Sequence, residues 1–266
     1  MEYTSRIKLG SAVSLVVCPI DDYTAKKVQG GSINIFIQDV PIKPMVKHEG
    51  YYVFTGLPEG AYKIVLESDQ YVSKHIEVST SKLEDKDRTV YVKLKPRTSY
   101  NFPGGATLIR STLLDASSKP AINAEVKAVV LSDNCARARV SKEGAKKGDK
   151  EVLVVDVSGS IVTEDCFIIK DKDQAISELC KATKFDQGTK TLVLTEPLEN
   201  SYGRGALLLP VVFSSANENG ETVIYFRNLH NKFFNVQLTF SYDGKFSTKE
   251  LKVEEGKTAY TGSMIV

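Results

Sequence analysis

Apolar residues recur at every second position through most of the chain, and no other feature restricts its fold so strongly. In residues 32–37, Ile33, Ile35 and Ile37 fall on one face of an extended segment. Tyr62, Ile64 and Leu66 repeat the pattern, as do Val90, Val92 and Leu94. Successive side chains of a strand point to opposite faces, so this period gives strands with one buried and one solvated side. Turn formers divide the runs: Asp21-Asp22, Gly30-Gly31, Glu49-Gly50 and Pro58-Glu59-Gly60. Short strands about every 8–12 residues, separated by such turns, predict an all-β antiparallel sandwich. No stretch before residue 100 has helical periodicity.

Composition then removes several kinds of function. The 266 residues carry 35 Lys+Arg against 33 Asp+Glu, a formal net charge of +2. A nucleic-acid binder usually shows a strong basic surplus, so none is expected as a partner. Only 3 His and 4 Cys are present, which disfavours zinc chemistry and much nucleophilic catalysis. Cys18, Cys135, Cys166 and Cys180 form no CxxC pair and are too sparse for a secreted disulfide scaffold, so they read as reduced thiols. No P-loop, GxGxxG, HExxH or GxSxG pattern occurs. Arg6 and Lys8 precede the apolar run 12–18, but that run is short for a signal peptide, and its alternating Val13, Leu15 and Val17 suit a strand. No apolar segment approaches the ~18 residues of a membrane helix. The expectation is a non-enzyme without cofactor or membrane span, synthesised in the cytoplasm without a signal peptide.

Around residues 95–105, Pro96, Pro103, Gly104 and Gly105 interrupt the strands, with only Tyr100 and Phe102 to pack. This reads as a semi-rigid linker at 96–104 after a first domain at 1–95. A repeat crosses it. The first copy runs from the strand with Ile33, Ile35 and Ile37 through Gly50-Tyr51-Tyr52-Val53-Phe54-Thr55-Gly56-Leu57, then 61–66 and 73–78. The second runs from 124–129 to Gly220-Glu221-Thr222-Val223-Ile224-Tyr225-Phe226, ending at Leu229, then 234–240 and 248–253. Gly50 and Gly220 occupy the same place, each closing a turn before a β-rich strand. The second copy is interrupted by about 80 residues, so the predicted second domain is 105–130 plus 211–266, with an inserted β-rich, barrel-like domain at 131–210.

The segments 22–31 and Gly56-Leu57-Pro58-Glu59-Gly60-Ala61-Tyr62 resemble the carboxypeptidase regulatory-like domain, a transthyretin-like (prealbumin-like, Cna-B-type) β-sandwich. Ala25 stands where that pattern usually has glycine. The second copy offers Ser118-Lys119-Pro120-Ala121 and lacks the Leu-Pro-x-Gly turn after Leu229. The resemblance covers about two thirds of the chain and implies tandem sandwiches; the module is attached to many activities and implies none of them. The insert, with the runs 148–156, 166–170, 191–198 and 206–209, is similar to small β-modules of phage-tail-like particle proteins.

A few constellations are candidate sites. Asp156, Ser158 and Ser160 follow an apolar run and match the DxSxS metal-ion motif, in which a carboxylate and two hydroxyls ligate Mg²⁺ at a strand end. The insert is about half as long as the α/β domain that carries this motif, and the segment after Ser160 is strand-like, so a polar turn is the competing reading. Asp171-Lys172-Asp173-Gln174 before 175–180 lacks the Gly and terminal Glu of an EF-hand loop and reads as a helix N-terminus or a charged turn. Residues 81–88, Asp85 and Lys86 among them, read as a solvated charged loop, and His48, His75 and His230 as exposed strand-end residues. Tyr51, Tyr52, Tyr62 and Tyr71 could stack on a sugar, though alternation buries half of them and Trp is absent; Tyr51 and Tyr52 are the binding candidates. Together these features predict a structural or binding protein whose partners are other proteins in a particle or surface assembly, first of all a phage-tail-like or contractile particle. The alternative is a cell-surface adhesin or carbohydrate-binding protein with a glycan ligand. Oligomeric state is left open.

Overall fold

Alternating apolar residues become strands in a computed structural model that describes residues 12–29, 31–84, 87–171 and 174–266. The readings that involve Arg6, Lys8, Gly30, Asp85, Lys86, Lys172 and Asp173 lie outside the described residues. The chain divides into two compact units, 1–100 and 101–266. No helix among the described residues is long and apolar enough to cross a membrane.

The first unit contains β1 (Val13–Asp21), β2 (Asn34–Ile37), β3 (Met45–Lys47), β4 (Tyr51–Thr55), β5 (Ala61–Glu67), β6 (Lys74–Ser79) and β7 (Thr89–Leu94). They form two sheets, ordered β3-β4-β1-β7 and β2-β5-β6. Leu15, Val17, Ile35, Ile37, Phe54, Ile64, Leu66, Val92 and Leu94 fill the core. These are the inward members of the sequence alternation. Residues 96–100 also pack here: Pro96 bridges to Tyr71, and Tyr100 packs against the core.

The second unit continues with β8 (Thr107–Leu114), β9 (Glu125–Val130), β10 (Ala138–Val140), β11 (Glu151–Val155), β12 (Cys166–Asp171), β13 (Ile176–Asp186) and β14 (Thr191–Leu194). It ends with β15 (Leu207–Ser215), β16 (Glu221–Phe226), β17 (Phe233–Tyr242), β18 (Lys245–Glu254) and β19 (Thr258–Ile265). One three-stranded sheet, β16-β8-β19, faces a nine-stranded sheet that ends in β15-β9-β17-β18. The order β4-β1-β7 over β2-β5-β6 therefore recurs as β16-β8-β19 over β9-β17-β18, strand for strand where the sequence repeats.

Not every neighbour is antiparallel, as the sequence reading expected. β1 runs parallel to β7, and β8 runs parallel to β19. Short hairpins join antiparallel neighbours only. The last strand of each sandwich instead arrives from the opposite sheet and so lies alongside the first in the same direction.

Between β9 and β16 the remaining strands build a barrel. The order β10-β11-β14-β13-β12-β15 closes because β10 also pairs with β15, giving six antiparallel strands. Val140, Val152, Val154, Phe167, Ile169, Leu192 and Leu194 fill it, as expected for a barrel too narrow for a lumen. β15 belongs to both modules: Leu207–Val211 pairs with β12, and Val211–Ser215 pairs with β9. The segment 176–180, which the sequence reading set after a helix start or a charged turn, pairs with β12. Alternation over Ile176–Asp186 makes it a strand.

The repeat extends to turn chemistry. Asp21 donates its N–H to Lys26 O at 2.8 Å, and Asp115 donates to Lys119 O at 2.8 Å. Their carboxylates accept backbone N–H groups inside each loop, from Tyr23 and Thr24 or from Ser117 and Lys119. Each loop has one left-handed residue, Ala25 (φ +57°) in the first and Ser118 (φ +59°) in the second. Gly50 (φ +82°) and Gly220 (φ +75°) have a stronger requirement. A Cβ on either would stand closer than 3.0 Å to a backbone carbonyl, of Val28 or Leu113 respectively. Gly50→Ala and Gly220→Ala should each destabilise its own unit by at least about 2 kcal/mol. Gly244→Ala, left-handed but in open space, should cost only about 1 kcal/mol. Urea unfolding of the three variants checks this.

Candidate functional site

The loop after β11 carries the metal-motif residues. Asp156 has φ +52° and a side chain 73% exposed, 3.9 Å from the Arg139 guanidinium. Ser158 is held through its backbone: its N–H donates to Arg137 O at 2.8 Å, and its carbonyl accepts from Arg137 Nη1 at 2.7 Å. Among the described residues no group of three or more His, Cys, Asp or Glu is placed to hold a metal ion. Arg139 and Arg137 approach this loop at Asp156 and Ser158 and oppose a divalent cation there.

Arg137, together with Arg227, forms a lock that sequence reasoning missed. Arg137 is only 4% exposed. Besides Ser158 it donates to Arg227 O at 2.7 Å and, more weakly, to Asn228 O at 3.4 Å. Burial, reinforced by the neighbouring Arg227, pushes its pKa down to about 10. Arg227 in turn pairs with the buried Asp165, whose other oxygen accepts from Val162 N–H at 2.9 Å. Barrel loops at 158 and 162–165 are thereby tied to the end of β16. Nothing in the local sequence Cys135-Ala136-Arg137-Ala138 marks Arg137 as buried.

In the first unit the tyrosines separate. Tyr52 is 1% exposed; its hydroxyl donates to Ile33 O at 3.0 Å and accepts from Gly31 N–H at 3.1 Å. It is a core residue closed to a sugar, which corrects its place in the candidate pair. Tyr51, on the opposite face of β4, is half-buried and covered by Lys27, which bonds its hydroxyl and lies 4.0 Å from its ring centroid. Tyr62 donates to Pro58 O at 2.8 Å. Tyr71 belongs to a buried knot around Asp21, whose Oδ2 accepts from Tyr71 at 2.8 Å and Tyr100 at 2.5 Å. Burial, and then the Asp21 carboxylate, hold both phenols well above the usual tyrosine range. His48, His75 and His230 are exposed.

An open polar cleft of about 600 Å³ lies at the amino end of β2, between Ser32, Asn34, Glu67, Asp69 and Arg97. Arg97 is steadied by donating Nε to Tyr71 O at 2.7 Å. Two carboxylates and one guanidinium leave the cleft acidic by one charge. It can hold the charged end of a guest, but it brings no base next to a nucleophile.

No protein-family model matches the chain, and no curated protein matches it. Among solved structures it is similar to the shaft pilin SpaA from Lactobacillus rhamnosus GG, at 11% identity over 96% of this chain and 98% of that one, with a TM-score of 0.24. The Bacillus anthracis TIE protein aligns at 12% identity over 96% of this chain and 50% of its own, TM-score 0.24. A streptococcal ancillary pilin aligns at 10% over 93% and 98%, TM-score 0.20. Similarity of this size transfers no function.

Two outcomes follow from the buried groups. Arg137→Met leaves several buried carbonyls without their donor and should cost the second unit about 3 kcal/mol in urea unfolding while leaving the first unit unchanged. Burial also pushes the thiols of Cys135 and Cys180 up to about 11 and about 12, from 9.0. Both pKa values are higher in the folded chain, so the unfolded chain loses these protons first. Stability should hold below pH 9 and fall between pH 9 and 12. Cys180→Val should flatten that fall in urea midpoints measured across the range.

Proposed function

We propose that this chain is a structural protein built of rigid β-modules, which works in assembly with other proteins and bears load along its length. One observation carries the reading: in both units the first described strand is hydrogen-bonded, in parallel, to the last. Val16–Asp21 lies against Thr89–Leu94 over six registered positions. Val16 N–H donates to Arg88 O at 2.9 Å at one end of this ladder, and Asp22 N–H donates to Leu94 O at 3.0 Å at the other. β8 and β19 are paired in the same way. The entry of the first strand and the exit of the last then lie at opposite ends of the ladder. A pull on the chain ends shears all the ladder bonds together, whereas an antiparallel pair would unzip them one by one.

The polar chemistry supports the same reading. Asp21, Arg137, Asp165 and Arg227 tie loops to strands, and the DxSxS loop is clamped by a cation. A place in a phage-tail-like or contractile particle and a place at a cell surface both call for this mechanics. Cosedimentation of the native protein with particles, against its extraction with the cell surface, separates the two. The glycan-binding alternative keeps only Tyr51 of its candidate pair.

The test is single-molecule stretching of the full chain by its ends. Two high-force ruptures are expected, and Val90→Pro, which removes a ladder donor in β7, should weaken the first unit's rupture alone. Rupture of the unaltered units at forces no higher than that of the variant would sink the load-bearing reading.

A further inference from the structure

The repeat makes one difference between the two sandwiches informative. In the second, the outer edge of β9 is covered by β15; in the first, the corresponding edge of β2 pairs with no strand among the described residues. We propose that the β2 edge is a docking site for an extended segment of a partner protein, which adds as an antiparallel strand in the position that β15 holds in the second unit. This rests on the reading of the chain as an assembly component and names the chemistry of its partner.

The backbone geometry is matched. Gln38 N–H donates to Lys63 O at 2.8 Å. Antiparallel bonding alternates, so Asn34, Phe36 and Gln38 bond β5, while the N–H groups of Ile35 and Ile37 point to the free edge. Ala216 N–H donates to Ala124 O at 2.9 Å in the second unit. The same alternation sets Val126 and Ala128 of β9 against Ser214 and Val212 of β15. In both sandwiches, then, it is the inward-facing residues that offer their backbone to the edge.

Among the described residues β2 is also the edge strand that carries neither common form of protection, and only its last carbonyl, Ile37 O, accepts a bond from the following turn, from Val40 N–H at 3.3 Å. Edge strands are usually blunted by charge or by a bulge. Lys47 stands in β3, Glu77 in β6, Lys93 in β7, Glu221 in β16 and Lys249 in β18, and the β8–β19 register is broken between Tyr260 and Ser263. Asn34, Ile35, Phe36 and Ile37 carry neither device. An antiparallel guest would run with its carboxyl end toward the acidic cleft at Glu67 and Asp69. The guest chemistry is therefore a short strand with branched apolar or hydroxyl residues at alternate positions, followed by Lys or Arg. β15 of a second copy cannot serve, since its own edge is taken by β9.

The probe is a fluorescein-labelled peptide copying residues 209–216 followed by two lysines, added to the full chain. Saturable binding by anisotropy is expected, together with slowed amide exchange at Ile35 and Ile37 and no change at Asn34 and Phe36. N-methylation at the positions of Val212 and Ser214 should weaken binding at least about tenfold, and Glu67→Lys should weaken it in the folded chain. Three results overturn the proposal: no binding up to millimolar peptide, binding that leaves Ile35 and Ile37 exchanging freely, or protection of these amides without peptide. In the last case protection independent of protein concentration means an occupant from the same chain, and protection that grows with concentration means a second copy. None of these results touches the force measurement, which reads the β1–β7 and β8–β19 ladders, so failure here and failure of the structural reading are distinguishable.

Discussion

The parallel ladder between first and last strands is the bond on which each sandwich depends. For β7 to lie beside β1 in the same direction, the chain must cross from the β2-β5-β6 sheet back to the other one, and β19 meets the same demand beside β8. That crossing assigns three repeated strands to each face. It buries the alternating residues of both sheets against each other and leaves β2 or β9 as an outer edge. The same ladder turns a compact β-module into one that resists extension.

What the two modules do with that outer edge separates them. In the second unit the chain leaves β9, builds a closed barrel and returns as β15, a strand whose first half completes the barrel and whose second half covers β9. A strand shared in this way leaves little freedom for a hinge, because bending it breaks ladder bonds on both sides. The buried Arg137 tightens the joint by bonding carbonyls of the barrel loop and of the sandwich at once. Buried charges of this kind are costly unless fully bonded. Burial disfavours the charged form of Arg137, and its carbonyl partners offset part of that cost.

Much of this was legible in residue order, for identifiable reasons. Alternation placed Ile33, Ile35, Ile37, Ile64, Leu66, Val92 and Leu94 in the core because a strand has only two faces. Gly50 and Gly220 marked equivalent turns because only a residue without Cβ can approach a carbonyl there. The same alternation puts Tyr51 and Tyr52 on opposite faces, but it left both as binding candidates, and only the structure shows that Tyr52 is the buried one. It was less decisive before Ile176, where charged residues suit a helix start as well as a charged turn.

Sequence alone therefore determined most of the strands, the all-β class and the repeat, since these follow from local periodicity and backbone sterics within a few residues. Only the tertiary structure decided which strands are parallel, that β15 joins barrel to sandwich, and that Asp156 faces an arginine. Arg137, Asp165 and Arg227 are as much as 90 residues apart, and nothing near any of them in the sequence announces the others. Contacts between distant segments depend on how sheets stack, and stacking is a property of the whole core.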